Sequence, residues 1–423
     1  MRFAVFLFLA LLATTTFADS AAARADLRAA LGDSVLAAPR FYPAPEMDQG
    51  PMRAVFYDAL PYEGSPTRVF AYLAVPEVPA GEKLPAMVLV HGGGGTAFHE
   101  WAKIWYDRGY AAIAMDLEGQ LAQNDFPDRP RHAFSGPART GLFDDVDKPR
   151  SEQWMYHAVA DIMLANSLLR ALPEVDPARI GLTGISWGGV LSSLVGGLDD
   201  RFVFAAPVYG CGYLYDSKGY FNRMGATDEA ALELRKYWDP ARYFTDAPMP
   251  MLWVNGDNDP HFSVDTMSRS HVSAGPDSMI SIHPQMPHGH GVSWEPNMVP
   301  EIYALADHLL KGTGAALNRI TKGEDLILPL IMLVKYSCGF QDRVGYTKCY
   351  QALSPTQRGT HNDCRTDDRF RRGRIQDKIA RALLGCGRIS AYARLLCFGG
   401  CGSSRSGERG VEGGAAGFHR VQR

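Results

Sequence analysis

Cysteine is almost missing from the first 337 residues, where Cys211 stands alone, so this part of the chain folds without a disulfide framework. A solitary cysteine of this kind reads as a small buried residue. Long apolar runs are also missing. The one candidate, Phe3 to Leu12, is too short to span a bilayer comfortably. No excess of positive charge marks the chain as a nucleic-acid binder, since its net charge is −3 and no basic stripe lies in its first three-quarters. Metal-site spacing is absent too: His99, His132, His157, His271 and His308 are scattered and share no pattern with cysteines or carboxylates. What remains is ordinary globular material, 46% apolar and 21% charged, with length for a large α/β domain and something smaller.

The N-terminus has the make-up of a secretory signal. Met1-Arg2 precedes the apolar stretch, and Thr14 to Ala18 gives a small-residue end, so residues 1–21 are expected to be cut after about Ala18 or Ala21. The mature protein is then secreted or periplasmic, with no stable membrane insertion. Residues 22–50 form a lead-in, weakly helical over Ala21 to Leu36 and proline-dotted and extended beyond. Residues 51–315 carry the main domain, and 316–423 form an atypical tail.

The main domain is organised around Gly184-Ile185-Ser186-Trp187-Gly188-Gly189. An apolar run ending at Ile185 enters it and the helix-like run Val190 to Leu198 leaves it, which puts Ser186 on a strand-to-helix corner, the GxSxG nucleophile elbow. Glycine is needed at Gly184 and Gly188 because a Cβ would clash while the serine holds a strained backbone. The corner lifts the hydroxyl clear of the sheet. It also aims the Trp187 N–H and the helix start at an oxygen that turns anionic.

Upstream, Met52 to Leu60 and Thr67 to Val75 read as a β-hairpin at a sheet edge, and Leu84 to Val90 as a strand buried on both faces. That strand runs into His91-Gly92-Gly93-Gly94-Gly95-Thr96, which lacks the lysine of a phosphate loop and the spacing of a dinucleotide site. It fits the second half of an oxyanion hole, with Gly93 the first choice of N–H donor and Gly92 the second. Helices are expected over Phe98 to Arg108, Trp154 to Leu172 and Glu301 to Lys311, and further strands over Ala111 to Met115, Phe202 to Tyr209, Pro250 to Asn255 and Met279 to His283. Residues 116–150 and 210–247 are irregular insertions, the first a candidate rim or lid.

Two turns complete the constellation. Gly256-Asp257-Asn258-Asp259 follows the strand two after the serine, where a Gly-x-x-Asp turn selects Asp259 over Asp257. His288-Gly289-His290-Gly291 follows the last strand. His288, five residues past the strand end, can curl back over the elbow as the base, and His290 is the alternative.

With these motifs, residues about 50 to 315 resemble the α/β-hydrolase superfamily, and most closely its secreted acetylxylan-esterase and dienelactone-hydrolase-like esterases. The elbow is shared with catalytic domains of the prolyl-oligopeptidase type. The resemblance implies an α/β fold with a mostly parallel eight-stranded sheet and helices on both faces, no cofactor and no metal. It further implies a triad on Ser186, Asp259 and His288 that cleaves short-chain acyl esters, with acetyl esters of carbohydrate the expected substrates. Aromatic residues expected near the pocket mouth (Phe98, Trp101, Trp154, Tyr209, Tyr213, Trp294) either stack on sugars or pack in the core. Two other functions compete. A peptidase of the prolyl-oligopeptidase type lacks room for a gating propeller before the glycine loop, and a non-catalytic binding protein on this fold would not keep every element in order. Neither the oligomeric state nor the natural acyl group is legible.

The tail changes character. Residues 338–423 hold 16 Lys+Arg against 7 Asp+Glu, six cysteines and no tryptophan. Its readings are a disulfide-rich module, a disordered basic tail or a stretch translated out of frame. The last accounts for arginine, glycine, cysteine and alanine rising together without a pattern that packs.

Overall fold

The computed structural model describes residues 20–141, 144–214, 234–245 and 247–317. The chain divides into one compact unit ending at Asn318 and a second beginning at Arg319. The second unit, with the six tail cysteines, and residues 1–19 of the expected signal peptide lie outside the described residues.

Among the described residues nine strands form one sheet in the order β1-β2-β3-β5-β4-β6-β7-β8-β9. They are β1 Phe41–Pro43, β2 Met52–Tyr62, β3 Ser65–Ala74, β4 Leu84–Val90, β5 Ala111–Met115, β6 Val175–Ile185, β7 Phe204–Val208, β8 Leu252–Gly256 and β9 Met279–His283. From β5 through β9 every neighbouring pair is parallel, whereas β1, β2 and β3 run antiparallel. The expected eight strands become nine because the lead-in supplies β1, which pairs Tyr42 with Phe56 and takes the edge from the hairpin. The hairpin closes on Glu63 and Gly64, both at positive φ (49° and 73°), the two-residue geometry that matches the strands' right-handed twist. β4, β5 and β7 are buried at every residue, as continuous apolar runs between two helical layers must be.

The helices are α1 over residues 20–31, α2 His99–Asp107, α3 Trp154–Ala171, α4 Trp187–Leu198, α5 Val264–Ser273 and α6 Pro300–Lys311. α3 carries almost no polar face, so it needs cover on both sides. The sheet gives one side. The lead-in gives the other: Leu27, Leu31 and Val35 are buried, Tyr156 Oη donates to Ala30 O at 2.6 Å and Ser167 Oγ to Val35 O at 2.8 Å. The lead-in is also pinned by charge. Arg24 donates to Tyr243 O and Thr245 O at 2.8 and 2.9 Å, and Arg28 Nε to Leu198 O at 2.7 Å, a cation on the exposed carbonyls ending α4. On the opposite side α2 and α6 pack through the stacked rings of Trp105 and Tyr303 and the Arg108–Asp307 ion pair. α5 is a helix without a counterpart in the sequence reading, although Ser263 caps it by accepting the Thr266 N–H.

No helix among the described residues is long and apolar enough to cross a membrane. Cys211 is buried, and burial pushes its thiol up to about 12, so it packs as a neutral group beside Thr266.

Candidate active site

β6 delivers Ser186 to the top of the sheet and α4 begins at the next residue. Ser186 holds φ 56° and ψ −117°, a strained conformation for a side chain with a Cβ. Its N–H donates to Val208 O at 3.0 Å and its carbonyl accepts from Val190 N–H at 2.9 Å, so the strain is fixed from both sides. The glycines leave no alternative. A Cβ on Gly184 would lie 2.2 Å from Gly188 O, and one on Gly188 2.0 Å from Val90 O.

The three residues singled out in the sequence meet here. Ser186 Oγ is 2.9 Å from His288 Nε2, and His288 Nδ1 is 2.7 Å from Asp259 Oδ2. The other Asp259 oxygen accepts the N–H groups of His261 and Phe262 at 2.8 Å each, which leaves the carboxylate one rotamer and one role. Asp257 does something else: its Oδ1 accepts the Gln285 N–H at 2.7 Å, tying the turn after β8 to the loop that carries His288.

The alternative base, His290, bonds the glycine loop. Its Nε2 accepts the Gly92 N–H at 2.9 Å, so Nε2 carries no proton and the ring is neutral. Burial first, then the facing His288 and Arg129, lower it to about 4. Gly92, the second choice for oxyanion donor, therefore has its amide committed. Gly93 remains beside the elbow: a Cβ there would meet Trp187 Cδ1 at 3.0 Å. His91 braces the loop from below, Nδ1–H donating to Gly92 O at 2.7 Å while Nε2 accepts the Leu117 N–H at 2.9 Å. Burial holds it at about 3, so it too is neutral.

The sequence left three supporting residues unassigned. Tyr209, one of the aromatics expected either at the pocket mouth or in the core, is buried with its ring 4.1 Å from that of His288 and its hydroxyl donating to Gly289 O at 2.9 Å. Arg129 fastens the irregular 116–150 segment to the glycine loop through Gly94 O and Gly95 O at 2.7 and 2.9 Å. Arg139, from the same segment, lies against Gly93. Trp101, Trp154 and Trp294 are likewise buried, which selects core packing over sugar stacking for these three. Trp101 stacks on Trp294, and Trp154 Nε1 donates to Leu117 O at 2.7 Å. The exposed ring near the loop is instead Phe126, 60% accessible and packed over Gly94. Among the described residues no group of three or more His, Cys, Asp and Glu is arranged to hold a metal ion.

Residues 44–246 match the family model for acetyl xylan esterase. Among solved structures, the acetyl xylan esterase of Paenibacillus sp. R4 superposes with a TM-score of 0.51 at 18% identity, covering 64% of this chain and 91% of that one. The acylaminoacyl peptidase of Pyrococcus horikoshii gives 0.46 at 19%, covering 68% and 44%. A curated relative, the uncharacterized peptidase YuxL of Bacillus subtilis (strain 168), is 23% identical over 189 residues, 41% of this chain and 26% of that protein. The chain thus spans about a quarter of the curated relative it matches. A mostly parallel sheet with an antiparallel edge, helices on both faces and a serine on the strand-to-helix corner is the architecture of the α/β-hydrolase fold: the chain has that fold and matches the acetyl xylan esterase family model over residues 44–246.

Proposed function

We propose that the protein is an exported serine esterase that removes short acyl groups, acetyl above all, from carbohydrate esters through an acyl-enzyme. The observation that carries this reading is the unbroken Asp259, His288, Ser186 chain at 2.7 and 2.9 Å on a strained elbow. His288, oriented by Asp259, takes the Ser186 proton as Oγ attacks the acyl carbon. The N–H groups of Gly93 and Trp187 receive the oxyanion, and His288 then protonates the leaving alcohol. Water repeats the sequence to release the acid. The acetyl and carbohydrate assignments rest on the family match and on the resemblance of the acetyl xylan esterase fold.

The test is turnover of p-nitrophenyl acetate, butyrate and octanoate, of an acetylated xylo-oligosaccharide and of an alanyl-prolyl anilide by the full chain, with Ser186→Ala alongside. Fast acetate release that falls with chain length and disappears in Ser186→Ala, with little on the anilide, supports the reading. Anilide cleavage exceeding acetate release would move the protein to peptidase chemistry, and activity surviving Ser186→Ala would remove the nucleophile.

A further inference from the structure

Arg139 enters the site from the rim segment and occupies the space beside the oxyanion-hole glycine. A Cβ built on Gly93 would meet Arg139 Nη2 at 2.8 Å and Trp187 Cδ1 at 3.0 Å, so the guanidinium end and the side chain following Ser186 flank the same residue. The cation is held in place on its other sides. The Arg139 N–H donates to Glu118 Oε2 at 3.0 Å, Nε lies 3.4 Å from Glu118 Oε1, and Nη1 donates to Gly141 O at 2.5 Å. Its Cζ stands 5.5 and 5.9 Å from the ring centres of Trp187 and Trp154. The side chain is only 17% accessible. Glu118 thus lies beside Nε and Gly141 takes Nη1, while Nη2 is the nitrogen that lies against Gly93.

A guanidinium keeps its charge at every pH the protein meets and presents its donors in a rigid plane. A fixed charge in a buried site, aimed where negative charge develops, costs no reorganisation during reaction and acts more strongly than it would in water. We propose that Arg139 is a catalytic residue, a third and charged donor to the oxyanion beside the Gly93 and Trp187 N–H groups. The inference rests on the acyl-enzyme reading above. As the Ser186 Oγ–carbon bond forms, the serine proton passes to His288 and the carbonyl π pair moves onto oxygen, where Nη2 N–H meets it. When the adduct collapses the pair returns to the carbonyl, the carbon–alkoxide bond breaks and the alkoxide takes the proton from His288. Arg139 exchanges no proton at any stage.

The experiment compares the full-length protein with Arg139→Gln, Arg139→Lys and Ser186→Ala. It measures kcat and KM on p-nitrophenyl acetate, the Ki of a trifluoromethyl ketone whose serine adduct carries an oxyanion, and the melting temperature. The expected result for Arg139→Gln is kcat lowered about 100-fold or more with KM within about threefold, and the ketone Ki raised in similar proportion. Arg139→Lys, which keeps the charge but not the fork, recovers part of both. Should Arg139→Gln fail to fold, Arg139→Lys is judged alone by the same split, with kcat lowered at least about tenfold. A kcat within about threefold of wild type overturns the proposal, as does a loss confined to KM, or a fall in kcat that leaves the ketone Ki unmoved. A wild-type protein inert to both ester and ketone fells the acyl-enzyme reading itself, and this proposal with it.

Discussion

His290 Nε2 accepts the Gly92 N–H at 2.9 Å, so the second histidine of the HGHG loop works as an acceptor that holds the glycine loop in register with the elbow. This bond requires a neutral ring.

Its pH dependence follows in sign. Burial lowers His290 to about 4 in the folded state from an ordinary 6.5, so the unfolded chain binds the extra proton between those values. The stabilisation is complete above about 6.5 and is lost as pH falls toward 4. Glutamine offers an acceptor oxygen that does not titrate, so the stability gap between wild type and His290→Gln should narrow as pH drops from 7 to 4.5. Urea unfolding at four pH values measures it, and a gap that stays constant refutes the assignment. On the proposed mechanism, His288→Ala should lower kcat on p-nitrophenyl acetate by about 10⁴ or more, whereas His290→Gln costs at most about tenfold.

Tyr209 braces His288 and the loop that carries it. Its ring packs on His288 at 4.1 Å, and its hydroxyl bonds Gly289 O and Ser293 on the loop that carries the imidazole. Tyr209→Phe keeps the ring but leaves buried partners unpaired, at about 1–3 kcal/mol. Expected are a melting temperature lowered by a few degrees and kcat reduced about tenfold, measured by calorimetry and initial rates. An unchanged rate in a destabilised variant would show that the loop holds His288 without it.

Much of this was legible because its signatures are local. The glycines around Ser186 report a backbone that admits no Cβ, and a Gly-x-x-Asp turn after β8 put Asp259 within 2.7 Å of the imidazole of His288. Spacing alone could not separate His288 from His290, because residues two apart on a loop point in directions fixed by what they bond to. Burial was harder still. Trp101, Trp154 and Trp294 have the composition of a sugar platform and the environment of a core, and only the packing of α2, α3 and the 288–294 loop decides between them. Arg139 was hidden for the same reason, since its contact with Gly93 crosses 46 positions without a periodic signal. The lead-in looked weakly helical by itself. It gains its order from covering α3, a helix without a polar face.

That cover gives a stability prediction. Leu27 is fully buried between α1 and the body, so Leu27→Ala should cost about 2–5 kcal/mol through lost transfer energy and the cavity left behind. Neighbouring Ala29 and Ala30 are exposed, and substitution by serine there should fall within about 0.5 kcal/mol. Urea midpoints compare the two, and equal costs would mean that the lead-in contributes little to the fold.

The elbow gives the sharpest contrast between two glycines of the site. A methyl on Gly188 would sit 2.0 Å from Val90 O and 2.5 Å from His91 O, backbone atoms of the central strand and of the glycine loop that cannot retreat without moving both halves of the site. Gly289 lies one residue from His288 and has nothing within 4 Å of its would-be Cβ. Gly188→Ala is therefore expected to misfold, or to fold with a melting temperature lower by well over ten degrees and with no esterase activity, since overpacking against rigid backbone costs at least about 1–3 kcal/mol and here meets two carbonyls at once. Gly289→Ala should fold normally and keep its rate within a few-fold, its N–H and carbonyl still available to Tyr209. Soluble yield, melting temperature and p-nitrophenyl acetate turnover of the two variants decide the matter. A well-folded, active Gly188→Ala would show that α4 can shift away from β4, and that the glycine is not what fixes the serine at the corner.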